Sequence, residues 1–191
     1  EAKRLIQLWT EQAFVPPFNE GMHWALPVPA SFPGDMADHF ANPDRYPVDS
    51  RAVAYALAYF SAKHLGAGQF YLVTINDKDG KSFDGGSNYR LNVPANPPVR
   101  LYWSATVYDR ATHALIREMP KSAVSSLTVG LMKNADSSID VYFGPKAPPG
   151  KDANWIPTKL GGGFEVMFRF YGPEKPLFDK AWKLPDIAKA P

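Results

Sequence analysis

The stretch LYWSATVYD, residues 101–109, alternates strictly along its length. Extended, it sends Tyr102, Ser104, Thr106 and Tyr108 to one side and Leu101, Trp103, Ala105 and Val107 to the other. Aromatic rings beside hydroxyls suit carbohydrates and similar polar–apolar small molecules. The rings stack on C–H surfaces while the hydroxyls exchange hydrogen bonds. The same row serves equally well as an ordinary polar exterior, or as a surface lying under a helix. The opposite side, with Trp103, reads as core.

Two further places carry side chains suited to ligands. Glu165 and Arg169 lie four apart in FEVMFRFY, hence on one face of a strand. Arg169 can clamp a carboxylate or phosphate, or pair with a carboxylate across the sheet. In NWIP (154–157), Asn154 reads as a hydrogen-bonding group and Trp155 as a lid or stacking platform. The plainer alternative makes Asn154 a turn fastener and Trp155 a plug at the end of a sandwich. Tyr102, Ser104, Thr106, Tyr108, Asn154, Trp155 and Arg169 are thus the candidate ligand-binding residues, and no catalytic set can be assigned.

Other chemistries are poorly supported. The histidines, His23, His39, His64 and His113, form neither H-x-H nor H-E-x-x-H. Asp35 and His39 would share a helical face, but two ligands do not make a metal site. DKDG at 77–80 begins like a calcium loop, yet Lys81 stands where an oxygen ligand is needed and Asn88 where the loop requires glutamate. It reads as a hairpin turn. Ser104 lacks the G-x-S-x-G context, and LGGGF lacks the helix and lysine of a phosphate loop. Asp77, Asp109, Asp140 and Glu165 are carboxylates near strand ends or on outward faces, and their pairing cannot be read without geometry. No metal and no cofactor is implied.

The elements that must position these residues follow from periodicity. Residues 1–14 read as an amphipathic helix with Ala2, Leu5, Ile6, Trp9 and Ala13 on one stripe, stopped by Pro16 and Pro17. Residues 15–49 hold seven of the nineteen prolines together with Phe18, Trp24, Phe32, Phe40 and Tyr46. That composition predicts an extended arm lying on this domain's surface or a neighbour's. A helix is expected at about 50–64, capped by Asp49 or Ser50 and ended at Gly66. Beyond Gly68 the period becomes two. Strands are predicted at 70–76, 89–93, 101–109, 139–144 and 164–171, with weaker candidates at 114–117 and 127–132. FYLVTI is apolar on both faces, which predicts a central strand covered on both sides. Short strands without interleaved helices predict antiparallel pairing in a two-sheet sandwich or jelly roll. The division is then 1–49, a helix and proline-rich connector, and 50–191, a capping helix with a β-sandwich.

Composition sets the remaining bounds. The 191 residues are 45% hydrophobic and 14% aromatic, enough for a core without staples. There is no cysteine, which removes disulfides, thiolate metal sites and cysteine nucleophiles. The net charge of +2 comes from scattered residues without a basic cluster, so no nucleic-acid partner is expected. No apolar stretch approaches the roughly 20 residues that span a bilayer. The chain opens on EAKRLIQLW without methionine, compatible with a processed or truncated product.

DGGSNYRLNVP, YWSATVYD, NADSSIDVYFGP, NWIP and FRFYGPEKPLFDKAWKLP occur in that order. The ordered set, over about 50–186, resembles the C-terminal module called domain of unknown function 1214. In many bacterial proteins it follows a second module, domain of unknown function 1254. Residues 1–49 resemble the stretch connecting the two. The resemblance implies a jelly-roll-like β-sandwich, an N-terminal module of the same protein as partner, and often export, hence a periplasmic or secreted home. It implies no reaction. Where the family commonly has Asn-Ala-Asp-Gly, this chain has Asn134, Ala135, Asp136 and Ser137. Serine tolerates a positive φ poorly, which leaves the form of that turn open.

Three functions are consistent with these readings. The leading one is a noncatalytic or accessory sandwich binding a carbohydrate or similar small molecule. The second is a hydrolase with its site at the junction with the other module or in the arm, where His23 and His39 lie. The third is an assembly role, in which the first helix and arm dock on a partner chain, including a second copy.

Overall fold

The computed structural model describes residues 1, 4, 5, 8, 11, 16–27 and 68–190. Residues 4, 5, 8 and 11 are helical, as the amphipathic pattern predicts, though Leu5 is exposed. The predicted helix at 50–64 and most of the arm lie outside the described residues.

From Gly68 onward the chain is mainly β. Its strands are β1 (Gln69–Thr74), β2 (Tyr89–Val93), β3 (Val99–Asp109), β4 (Ala123–Ser125), β5 (Ile139–Gly144), β6 (Trp155–Pro157), β7 (Phe164–Pro173) and β8 (Ala188–Lys189). A 3-10 turn at Asp152–Asn154 and one helical turn at Lys175–Phe178 complete it. Two four-stranded sheets, ordered β1-β7-β3-β4 and β6-β5-β2-β8, pack together as a sandwich. Alternation supplies the inner faces. Phe164, Val166, Phe168 and Phe170 from β7, and Trp103, Ala105 and Val107 from β3, are buried against Leu91, Val93, Val141, Phe143 and Ile156 of the second sheet. Phe168 stacks on Trp103 and meets Trp24 edge-on.

The structure departs from the periodicity in several places. β1 is an edge strand of its sheet, and β7 and β3 are the ones paired on both sides. The β1 edge is closed at Val73, where Ala25 exchanges both backbone hydrogen bonds with it, at 2.9 and 2.8 Å. Residues 16–27 therefore lie on this domain's own surface, and Trp24 enters its core with no exposure. β6 runs parallel to β5, not antiparallel. The 127–132 segment is a loop, and the short strand falls just before it at β4. At 114–117 only Leu115 makes a bridge, to Tyr108.

Leu101 has the parity of a core residue yet is 62% exposed. The β3–β7 register shifts between Val99 and Tyr102, so Arg100 and Leu101 bulge away from the layer. Opposite the bulge, Gly172 has φ +64, and a Cβ there would stand 3.1 Å from the Arg100 Cβ. Only glycine accommodates both demands without strain.

The turn at 134–138 keeps a left-handed residue although it lacks the glycine. Ser137 has φ +68. A dense hydrogen-bond set holds it there. Asn134 N–H donates to the Ser138 carbonyl at 2.8 Å. The Ser138 hydroxyl donates to Asp136 at 2.6 Å and accepts from the amides of Asn134 and Asn92, each at 3.0 Å. The hydrogen bonds from the Ser138 hydroxyl and backbone N–H hold the Asp136 carboxyl below its usual range. Ser137→Gly relieves a left-handed strain of about 1–2 kcal/mol against a glycine entropy cost of about 0.5–1. Urea denaturation is expected to show a net gain of about 0.5–1 kcal/mol; a loss would mean that Ser137 is unstrained.

Candidate functional site

The outward face of the first sheet is a grid fixed by register. β7 contributes Glu165, Met167, Arg169 and Tyr171. Opposite them on β3 stand Tyr108, Thr106, Ser104 and Tyr102, in that order, and Tyr71 of β1 faces Arg169 from the other flank. The sequence-predicted hydroxyl row is thus real as a row, and its neighbours are supplied by two other strands.

Arg169 is the hub of this grid. Its Nη1 donates to Thr106 Oγ1 at 2.9 Å and its Nη2 to the Tyr108 hydroxyl. The guanidinium carbon lies 5.3 Å from the Tyr71 ring centre and 5.5 Å from that of Tyr108. Cation–π attraction and hydroxyl acceptors replace part of its lost hydration. Beyond it, Tyr102 and Tyr171 stack with ring centres 4.1 Å apart and planes 14° from parallel. Thr106, Glu165 and Met167 are buried, and the other side chains of the grid are half-buried, each keeping part of its surface exposed.

Burial pushes the Tyr71 phenol above its ordinary value, while the neighbouring Arg169 pulls it back. Burial, assisted by the hydrogen bond with Tyr102, pushes Tyr171 up to about 12. An unfolded tyrosine titrates near 10. Between about pH 10 and 12 the unfolded chain therefore releases this proton while the folded domain holds it. Stability due to Tyr171 is complete below pH 10 and is lost as pH rises through that window. Tyr171→Phe is expected to lose less melting temperature between pH 9 and 11 than the parent. Equal losses in the two proteins would contradict this.

The family described as "Protein of unknown function (DUF1214)" matches residues 68–175, more than half of the chain. The chain belongs to the DUF1214 family. The VPA0106 protein from Vibrio parahaemolyticus is similar in structure at a TM-score of 0.60 and 20% identity, over 78% of this chain and 36% of its own. At that identity the likeness speaks for the fold alone. A putative uncharacterized protein from Burkholderia cenocepacia matches at a TM-score of 0.40 and 13% identity, over 84% of this chain and 48% of its own. The chain spans about a third to a half of the length of these structures. No curated protein matches it.

The DUF1214 domain brings Tyr102, Ser104, Thr106, Tyr108 and Arg169 together on one face. Asn154, in the 3-10 turn, and Trp155, at the start of β6 in the second sheet, lie elsewhere. Asn154 is 1% exposed, and its amide bonds three backbone groups: it accepts from Met132 N–H and donates to the carbonyls of Met132 and Asp140, all at 2.8 Å. Trp155 sits beside Tyr142 across the β5–β6 pair, with its indole N–H donated to the Gly144 carbonyl. The Lys121 ammonium stands 5.9 Å from its ring centre. Burial lowers the Lys121 pKa.

Two carboxylate–imidazole pairs are invisible in the sequence. Glu165 is buried, with both oxygens 3.1 Å from His113 Nδ1 and one 3.4 Å from Arg110. Arg110 also reaches Glu11 of the N-terminal helix at 3.5 Å. His113 is carried there by a turn in which Asp109 accepts from the N–H groups of Ala111 and Thr112. His23 makes the second pair, with Asp186 at 2.8 Å through both its backbone N–H and its Nδ1. Trp24 follows by donating to the Pro185 carbonyl at 2.8 Å. The partners lie 52 and 163 residues apart, so no local motif could have found them. His39 lies outside the described residues. DKDG is the expected hairpin turn, with Asp77 accepting from the N–H groups of Asp79 and Lys81 at 3.0 Å.

Two clefts open away from the grid. One, of about 560 Å³, is lined by Asp109, Thr112, Leu115, Ile116, Met119 and Lys159. The other, of about 390 Å³, lies at Tyr142, Lys146, Pro148 and Pro149.

Proposed function

We propose that this domain is a noncatalytic binding module for a carbohydrate or a similar polar–apolar small molecule, held on the Tyr/Arg face of its first sheet. The observation that carries this reading is the convergence of three strands on one accessible cluster. Tyr71, Tyr108, Tyr102 and Tyr171 provide ring faces, and Ser104 and Arg169, the latter held by buried Thr106, provide polar atoms. A ring face takes the C–H side of a sugar, while hydroxyls and N–H groups take its oxygens. The module would serve within a longer bacterial protein, with an N-terminal domain of unknown function 1254 and an exported location as the accompanying expectations. That this chain spans 36% of the structure it matches at a TM-score of 0.60 supports a longer protein.

Calorimetry of the intact chain against a panel of mono- and oligosaccharides tests the reading. Measurable heat is expected with at least one sugar, and Tyr102→Ala should weaken that binding roughly tenfold by removing one stacking surface, in line with about 0.5–1.5 kcal/mol for an aromatic contact beyond its area. Silence across the whole panel would defeat it. So would binding that Tyr102→Ala and Tyr108→Ala leave untouched.

A further inference from the structure

Among the described residues, the charge at the centre of the grid has no carboxylate partner. The Arg169 guanidinium carries a positive charge. It is half-buried, which removes part of its hydration and calls for a counter-charge. Yet its partners are neutral: two hydroxyl oxygens and two aromatic rings. The nearest carboxylate along its own strand face, Glu165, is committed to His113 and Arg110, and four residues of extended chain place it about 13 Å away. Among the described residues no carboxylate pairs with Arg169.

We propose that the ligand itself supplies that carboxylate, so that the face selects an acidic sugar, a uronic acid unit, over its neutral counterpart. This deepens the carbohydrate reading and rests on it. A guanidinium has five N–H donors. Hydroxyls of Thr106, Tyr108 and Tyr71 draw on at most three, so at least two remain. Thr106 and Tyr108 accept from Arg169 through oxygen, which fixes the guanidinium, and the half-buried Tyr108 keeps its own O–H as a further donor. A planar monoanion matches one planar fork. A phosphate dianion would call for more positive charge than the single guanidinium in this cluster. The stacked Tyr102–Tyr171 pair, one register step along, is placed to carry the sugar ring.

The experiment compares methyl glucuronide, methyl glucoside and glucose 6-phosphate by calorimetry on the intact chain at low and moderate salt. The glucuronide is expected to bind at least tenfold more tightly than the glucoside, with that advantage shrinking as salt rises. Arg169→Gln should reduce the advantage to about onefold, and Arg169→Lys should keep part of it. The ratio measured on the parent protein stands even if a variant folds poorly. Equal affinity for glucuronide and glucoside would overturn the acidic-ligand inference while leaving the carbohydrate reading in place. Tighter binding of the phosphate would overturn the choice of carboxylate. Absence of binding to all three, together with silence across the wider sugar panel, would remove both.

Discussion

Trp103→Ala is expected to destabilise the domain by about 3–5 kcal/mol, the cost typical of truncating a fully buried aromatic. Trp103 is 2% exposed and stacks on Phe168 with ring centres 5.2 Å apart. Phe168 in turn packs on Phe170 at 4.8 Å and on Trp24 at 6.3 Å. The indole thus joins the ring cluster that fills the space between the layers. The cavity left behind cannot collapse easily, because β3 is paired on both sides, to β7 and to β4. For a chain of this size the loss corresponds to a fall in melting temperature of about 6–20 °C. Urea denaturation should show a lower midpoint with an unchanged slope. Leu101→Ala is the internal control. It lies two residues away with the same parity, but the bulge puts it in solvent, so its cost should stay within about 0.5 kcal/mol. Comparable losses for the two variants would contradict the bulge. A Trp103→Ala loss below about 1 kcal/mol would contradict the packed sandwich.

The second large effect belongs to Asn154. Its amide joins the 127–132 loop to β5 by three hydrogen bonds of 2.8 Å, all to backbone. Alanine leaves the Asp140 carbonyl without this donor and frees the loop at Met132. A buried group left without a partner costs roughly 1–3 kcal/mol. Met132 is 44% exposed, so water can recover its share. The expected net loss is about 2–4 kcal/mol, with faster amide exchange confined first to residues 127–133. Asn154→Asp should do no better, because a carboxylate presents an acceptor to two carbonyl oxygens. Rescue by aspartate would mean that the donated bonds are unimportant. The loop held in this way displays Leu127 and Val129 to solvent, so its position, not its burial, depends on Asn154.

Much of the architecture is legible from period-two alternation. β2 and β5 fall where the sequence predicts, and the alternate residues Tyr89, Leu91 and Val93 of β2 and Ile139, Val141 and Phe143 of β5 are buried. This works because a strand's two faces are a local property: residue parity alone sends a side chain in or out. The hydroxyl row of β3 is legible for the same reason. So is the shared face of Glu165 and Arg169.

Local pattern does not say which strand lies beside which. The order β1-β7-β3 places Arg169 between Tyr71 and Tyr108, and the β3–β7 register sets Tyr102 against Tyr171. The fold also closes β1 with Ala25, runs β6 parallel to β5 and brings His113 to Glu165. Each of these joins residues far apart in the chain, through packing and backbone pairing that no spacing encodes. One inserted residue shows the limit most sharply. Parity predicts Leu101 inside, but a bulge against a left-handed Gly172 moves it out. Alternation is a rule of one strand, whereas a bulge is a mismatch between two.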